Sequence, residues 1–103
     1  MSYGYIGSMK TTPGNRDAVT SILLSGVDGL RAVGCLAYVV GNSDTDADTI
    51  WVTEIWRSRE DHDDSLKKPE VQAAIASAMP MLTREFTRQD VTVIGGLGVP
   101  SAE

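Results

Sequence analysis

Three features of the sequence predict an α+β fold with the element order β-α-β-β-α-β. Runs of strand length, rich in aromatic and β-branched residues, stand near both ends and as a pair in the middle. Two stretches with apolar residues at helical spacing separate them. A short polar loop joins the middle two strands, which makes those two an antiparallel hairpin. This is the split-βαβ, or ferredoxin-like, order.

Each element follows from its residues. Tyr3 to Lys10 suits a pleated surface, and Pro13-Gly14 ends it. Arg16 to Leu24 places Ala18, Val19, Ile22 and Leu23 on one helical stripe, with Gly26 and Gly29 beyond its end. Ala32 to Gly41 (AVGCLAYVVG) is the second strand and Ile50 to Arg57 (IWVTEIWR) the third. The polar stretch Asn42 to Asp48 (NSDTDAD) links them. Ser58 with Asp61 forms a capping box, so a helix starts there and is cut short by Pro69. Pro69 suits the first turn of a further helix, Glu70 to Met79, which should bury Val71, Ala74, Ile75 and Ala78. Asp90 to Val99 (DVTVIGGLGV) is the last strand, with a start as early as Phe86 also compatible. Residues 1–103 form one domain, with 100–103 a tail.

Composition narrows the function. At 103 residues with a net charge of −5, the chain lacks the clustered Lys and Arg that nucleic acid or an anionic membrane surface demands. No apolar run reaches the roughly 20 residues of a membrane helix. Met1 to Lys10 has no basic start and apolar block, so no secretory leader is expected there. The single cysteine, Cys35, cannot form an internal disulfide, and a cytoplasmic location is expected. One His and one Cys are too few soft ligands for zinc.

The strands are apolar on both sides. Cys35, Ala37 and Val39 are expected to face one way and Leu36, Tyr38 and Val40 the other; Trp51 and Ile55 oppose Ile50, Val52 and Trp56. Helices cover one face only. A homodimer packed sheet to sheet would cover the other; a monomer would keep an uncommonly apolar open face.

Several of these segments resemble one family. Gly34-Cys35-Leu36-Ala37-Tyr38 is similar to the GC-x-x-Y strand of the antibiotic biosynthesis monooxygenase family. IWVTEIW, residues 50–56, resembles its next strand, which ends in E-x-W, and RSREDHDDSLKKPEV, residues 57–71, resembles the helical stretch that follows. Pro13-Gly14 matches the turn after the family's first strand. The resemblance implies a dimeric α+β barrel. It also implies, for some members, oxidation of phenolic or quinol-like aromatics by O₂ with no cofactor, and for others haem degradation. The haem branch carries Asn, Trp and His where this chain has Gly7, Ser65 and Ile75, so haem is not expected here. The oxidising branch carries an Asn four residues before its Trp and an Arg on the later helix; here these are Val52 and, approximately, Ala76. Many members also carry a His at the position of Ser65.

The candidate catalytic residues are Trp56, His62 and Glu54, with Tyr38, Val52 and Ile75 as substrate contacts. Trp56 stands where oxidising members hold a pocket tryptophan; it would stack on an aromatic substrate and donate its indole N–H, or serve only as core. Glu54, among apolar neighbours, would accept a phenolic proton, or be a hydrogen-bonded or ion-paired structural carboxylate, with Arg57, Arg84 and Arg88 as candidate bridging partners. His62 falls where some members place a tyrosine. It would shuttle a proton, or sit on a solvated helix face among Glu60, Asp61, Asp63 and Asp64. Tyr38 would bond substrate or pack with its hydroxyl at a polar edge. Cys35 reads as a small buried apolar residue.

Two motifs read as structure. Asp44, Asp46 and Asp48 imitate part of a calcium loop, but Thr49 and Ile55 stand where its Gly and Glu belong. Gly95, Gly96 and Gly98 have no following helix to cradle phosphate, and suit a bulge or close approach near a dimer seam. Two functions from different classes remain: a cofactor-independent monooxygenase using O₂ on a small aromatic, or a non-catalytic dimeric barrel holding an apolar ligand or partner. Isomerase- or cyclase-like proton transfer would use the same residues.

Overall fold

A computed structural model describes residues 2–99, so the expected tail at 100–103 lies outside the described residues. Strand β1 (Ser2–Thr11) leads to helix α1 (Arg16–Leu24), then to a 3-10 helix (Val27–Val33). Strands β2 (Cys35–Asn42) and β3 (Thr49–Trp56) follow. Helices α2 (Arg59–Ser65) and α3 (Pro69–Ala78) come next, then a 3-10 turn (Met79–Met81) and β4 (Leu82–Val93). The four strands form one antiparallel sheet in the order β2-β3-β1-β4. The fold is α+β and ferredoxin-like, as the sequence predicts.

The helix starts obey their local chemistry. Ser58 is extended, and its hydroxyl accepts from the Asp61 N–H at 3.0 Å, which caps α2. Pro69 opens α3, where its missing N–H costs nothing, and Lys68 before it is extended. Val19 of α1, Ala78 of α3 and the β3 residues Ile50 and Val52 make one buried cluster; Tyr3, Cys35 and Trp56 make the other. Ala18 and Ile75, expected inside, are exposed. Helix α3 turns its small residues toward α1 and the sheet, so it does not seal against them as a large-residue stripe would.

Three expectations need correction. The second strand starts at Cys35, because residues 27–33 wind into the 3-10 helix that Gly34 ends. A bulge at Leu36 follows: Cys35 pairs with Trp56 and Ala37 with Ile55, leaving Leu36 extra. Cys35 therefore shares the helix-facing side with Tyr38 and Val40 rather than with Ala37 and Val39. The last strand is Leu82–Val93, earlier at both ends than 90–99 or a start at Phe86, and Gly95, Gly96 and Gly98 lie past its end in a turn closed by a Gly96–Val99 bridge. The charged positions Arg84, Glu85, Arg88 and Asp90 hide this strand from an apolar pattern, yet charges suit an edge strand.

The acidic loop between β2 and β3 is held from two sides. Arg16 of α1 donates to the carbonyls of Ser43 (3.0 Å) and Asp46 (2.9 Å). Lys10 pairs with Asp46 at 3.2 Å, and the Asp48 N–H bonds the Asp46 carboxylate at 3.0 Å. On the side of the sheet away from the helices, Ile6, Val39, Trp51 and Val91 are exposed.

Gly34 carries a testable constraint. Its φ is +106°, and an added Cβ would collide with the Asp61 side chain. Gly14 has φ +81° with open space around it. Gly34→Ala is expected to cost at least about 1–3 kcal/mol, and more than Gly14→Ala, which carries the backbone strain alone. Thermal melting of the two variants compares them directly, and equal losses would contradict the packing of Gly34 on α2.

Candidate functional site

The strand register lays the helix-facing side chains out in rows. The first row is Cys35, Trp56, Tyr3 and Thr92; the second is Tyr38, Glu54, Tyr5 and Asp90. Val40, Val52, Gly7 and Arg88 form the third. The first two rows therefore gather polar and aromatic groups at one end of the sheet, while Ile50 and Val52 make the core at the other.

Between this face and the helices lies a cavity of about 570 Å³, in the range that takes a small molecule. The sheet lends it Met9, Tyr38, Glu54 and Trp56. Ile22, Leu23 and Leu30 line a second side, and His62, Ser65, Val71, Ala74 and Ile75 a third. The lining is mainly apolar. Besides Glu54, His62 and the Tyr38 phenol, its ionisable groups are Lys68 and Glu70, which pair with each other at 3.5 Å.

Glu54 is bound to Trp56. The indole Nε1–H donates to Glu54 Oε1 at 2.9 Å across the i, i+2 spacing that puts both side chains on one face of β3. Trp56 is 1% exposed, so its packing holds the donor in place. Burial pushes the Glu54 carboxyl above its ordinary range; the Trp56 hydrogen bond, His62 and Arg88 pull it partly back. Of the two structural alternatives for Glu54, the hydrogen bond is formed and the ion pair with Arg57, Arg84 or Arg88 is not: Arg88 pairs with Asp90 at 3.2 Å instead. The indole N–H, expected to be open to a substrate, is already used by Glu54.

His62 is 5% exposed, not on a solvated face. Its ring sits among Tyr3, Tyr5 and Trp56, with centroids 5.1, 5.9 and 5.6 Å away. Helix α2 carries its acids outward and turns His62 and Ser65 inward. The Ser65 hydroxyl donates to the His62 carbonyl at 2.6 Å, which fixes that turn.

The other candidates divide. Tyr38 and Ile75 line the cavity. Burial, with the Glu54 charge beside it, pushes the Tyr38 phenol up, so the group stays a neutral O–H. Val52 is 2% exposed in the core cluster and is not on the cavity wall. Cys35 is buried, and burial raises its thiol as well, so it stays protonated. Among the described residues no three His, Cys, Asp or Glu side chains converge as metal donors do.

Three residues escaped the sequence reading, Tyr3, Tyr5 and Asp90, and Arg88 was read only as a partner for Glu54. The Tyr3 hydroxyl donates to Asp90, which Arg88 also holds, and the Arg88 guanidinium lies 5.3 Å over the Tyr5 ring. Gly7 belongs with them, since a Cβ there would stand 2.7 Å from the Tyr5 hydroxyl. The alternation Tyr3, Tyr5, Gly7 was the available signal: two phenols on one face, followed by room for one to lie down.

The raised Glu54 carboxyl has a consequence for stability. The folded protein holds that proton more tightly than the unfolded chain does. Its contribution is therefore complete below the ordinary value of 4.5 and is lost as pH rises through the higher folded value. Glu54→Gln keeps an oxygen for the indole N–H and removes the charge. It is expected to melt above the wild type at neutral pH and to lack that decline. Parallel melting curves across the acidic range would contradict the burial of a charged Glu54.

The comparisons with known proteins agree with this architecture. A crystal structure from Chloroflexus aurantiacus J-10-fl, of a protein provisionally named antibiotic biosynthesis monooxygenase, is 42% identical, covers 97% of this chain and 100% of its own, and superposes with a TM-score of 0.88. A Mycobacterium tuberculosis protein is 21% identical over 94% of this chain and 99% of its own, with a TM-score of 0.79. A Caulobacter crescentus protein under the same provisional name is 19% identical over 91% of each chain, with a TM-score of 0.82. The last two show the fold alone. No curated protein matches the chain. Residues 2–77 match the family described as Antibiotic biosynthesis monooxygenase, and the chain belongs to that family.

Proposed function

We propose that this protein is a cofactor-independent monooxygenase acting on a small phenolic, quinol-type or polycyclic aromatic molecule. The observation that carries the reading is the cavity of about 570 Å³, mainly apolar, into which Glu54 and His62 reach beside Trp56. An aromatic of two or three rings fills such a space, and its acidic hydroxyl or C–H has a proton acceptor within it.

The chemistry balances with O₂ as co-substrate. Glu54 or His62 takes a proton from the substrate, leaving an electron-rich anion. The anion gives one electron to O₂, and the two radicals join through a new carbon–oxygen bond. The O–O bond then breaks: one oxygen stays as a carbonyl, and the other leaves as water with the returned proton and a second substrate hydrogen. For a methylene carbon, CH₂ plus O₂ becomes C=O plus H₂O. The apolar walls exclude bulk water and hold the ring in one orientation. The raised Glu54 carboxyl is a stronger base than an exposed one once ionised.

A second copy of the chain completes this reading. Ile6, Val39, Trp51 and Val91 are exposed together on the helix-free face, and a sheet-to-sheet homodimer would cover them. No helix among the described residues is long and apolar enough to cross a membrane, and with its lone thiol the chain suits the cytoplasm.

An oxygen electrode with a panel of quinols and anthrones tests the activity. Uptake above buffer is expected, falling about 10²-fold or more in kcat/KM for Glu54→Gln or His62→Ala. Ligand binding without uptake would favour a non-catalytic carrier, and uptake untouched by Trp56→Phe and His62→Ala would place the site elsewhere. Light scattering at micromolar concentration is expected to return twice the chain mass; a single-chain particle would contradict the dimer.

A further inference from the structure

We propose that Asp63 is a positioning residue that locks His62 into one tautomer, with hydrogen on Nδ1 and a free lone pair on Nε2. The inference rests on the reading of the cavity as a proton-accepting site and adds the group that makes His62 an acceptor.

The geometry is specific. His62 Nδ1 and Asp63 Oδ1 are 2.9 Å apart. An ionised carboxylate only accepts, so the hydrogen between them belongs to Nδ1. A neutral imidazole has one N–H, and with it on Nδ1 the lone pair must be on Nε2. A histidine free in water prefers the opposite tautomer, whose Nε2 would donate rather than accept. Nε2 bonds no protein group among the described residues, yet no side-chain nitrogen among them is sealed without a partner. Nε2 is therefore open, on a side chain that lines the cavity.

The rest of the neighbourhood holds the pair still. The ring cannot turn over freely between Tyr3, Tyr5 and Trp56. The second Asp63 oxygen lies 3.9 Å from Arg59 Nε, one helical turn back, and that guanidinium lies 5.5 Å over the Tyr3 ring. Asp63 itself is half exposed and touches none of the cavity. It acts only through His62. A hydroxyl that reaches Nε2 thus meets an acceptor.

His62 is the only histidine in the chain, so its ring nitrogens can be read without assignment by elimination. Long-range proton–nitrogen correlation on uniformly ¹⁵N-labelled protein, at a pH where the ring is neutral, is the test. In the wild type, Nδ1 is expected to resonate as a protonated nitrogen and Nε2 as an unprotonated one. In Asp63→Ala, a change on the exposed side of α2, Nε2 is expected to move toward the protonated position. A wild-type ring protonated on Nε2, or a spectrum unmoved by Asp63→Ala, would overturn the proposal. Both readings need no substrate, so they stand apart from the oxygen-uptake result. A locked tautomer without uptake sinks the monooxygenase reading alone. Uptake with a free tautomer sinks the role of Asp63 alone.

Discussion

A carboxylate leaves water only at the cost of several kcal/mol unless hydrogen bonds replace its hydration. Glu54 lies on the helix-facing side of β3, and the indole N–H of Trp56 replaces part of that hydration at 2.9 Å. Much of the site depends on this pair. Trp56 holds its donor rigidly because its ring is packed against Tyr3 and Cys35. Cys35 reaches that packing only through the β2 bulge at Leu36, and the strand start that sets the bulge requires Gly34 at a positive φ against α2. The same helix brings His62 to the Trp56 edge. Backbone turn, bulge, aromatic packing and buried acid form one connected constraint.

The cavity exists because the two helical regions cover the sheet unevenly. Val19 and Ala78 close onto Ile50 and Val52 at one end. At the other end Gly26 and Gly29 and the small residues of α3 leave volume that Trp56, Tyr38 and His62 border without filling. An apolar space with one raised carboxyl and one imidazole can accept protons. Among the described residues its wall holds no arginine, and its one lysine, Lys68, is paired with Glu70. That sets this chain apart from a pocket built around an Asn and an Arg, the positions held here by Val52, which is in the core, and Ala76, which is exposed.

The fold was largely legible in the sequence, because its signals are local. The Ser58 cap, Pro69 at a helix start, the β2–β3 hairpin and the two-faced apolar strands each act within a few residues. The site was legible in part. Glu54 and Trp56 share a face by simple alternation, so their meeting followed from spacing. For His62 two placements stayed open, since four acids around it suggested solvent as readily as a site; α2 turns Glu60, Asp63 and Asp64 out and its one imidazole in. The loss of Cys35 from its expected face came from a one-residue bulge, which no periodicity reveals. Strand β4 was read late because its edge position permits charge where a central strand would not. Tyr3, Tyr5, Arg88 and Asp90 meet only through the β1–β4 register, a contact between the two ends of the chain.

The coupling of Glu54 to Trp56 is the claim on which the rest stands. Titration of the Glu54 carboxyl carbon by NMR, in the wild type and in Trp56→Phe, measures it directly. The account predicts a wild-type midpoint above the ordinary 4.5 of a glutamate, moving higher still when the indole N–H is removed. A wild-type midpoint at or below that ordinary value, or one that Trp56→Phe leaves in place, would contradict it.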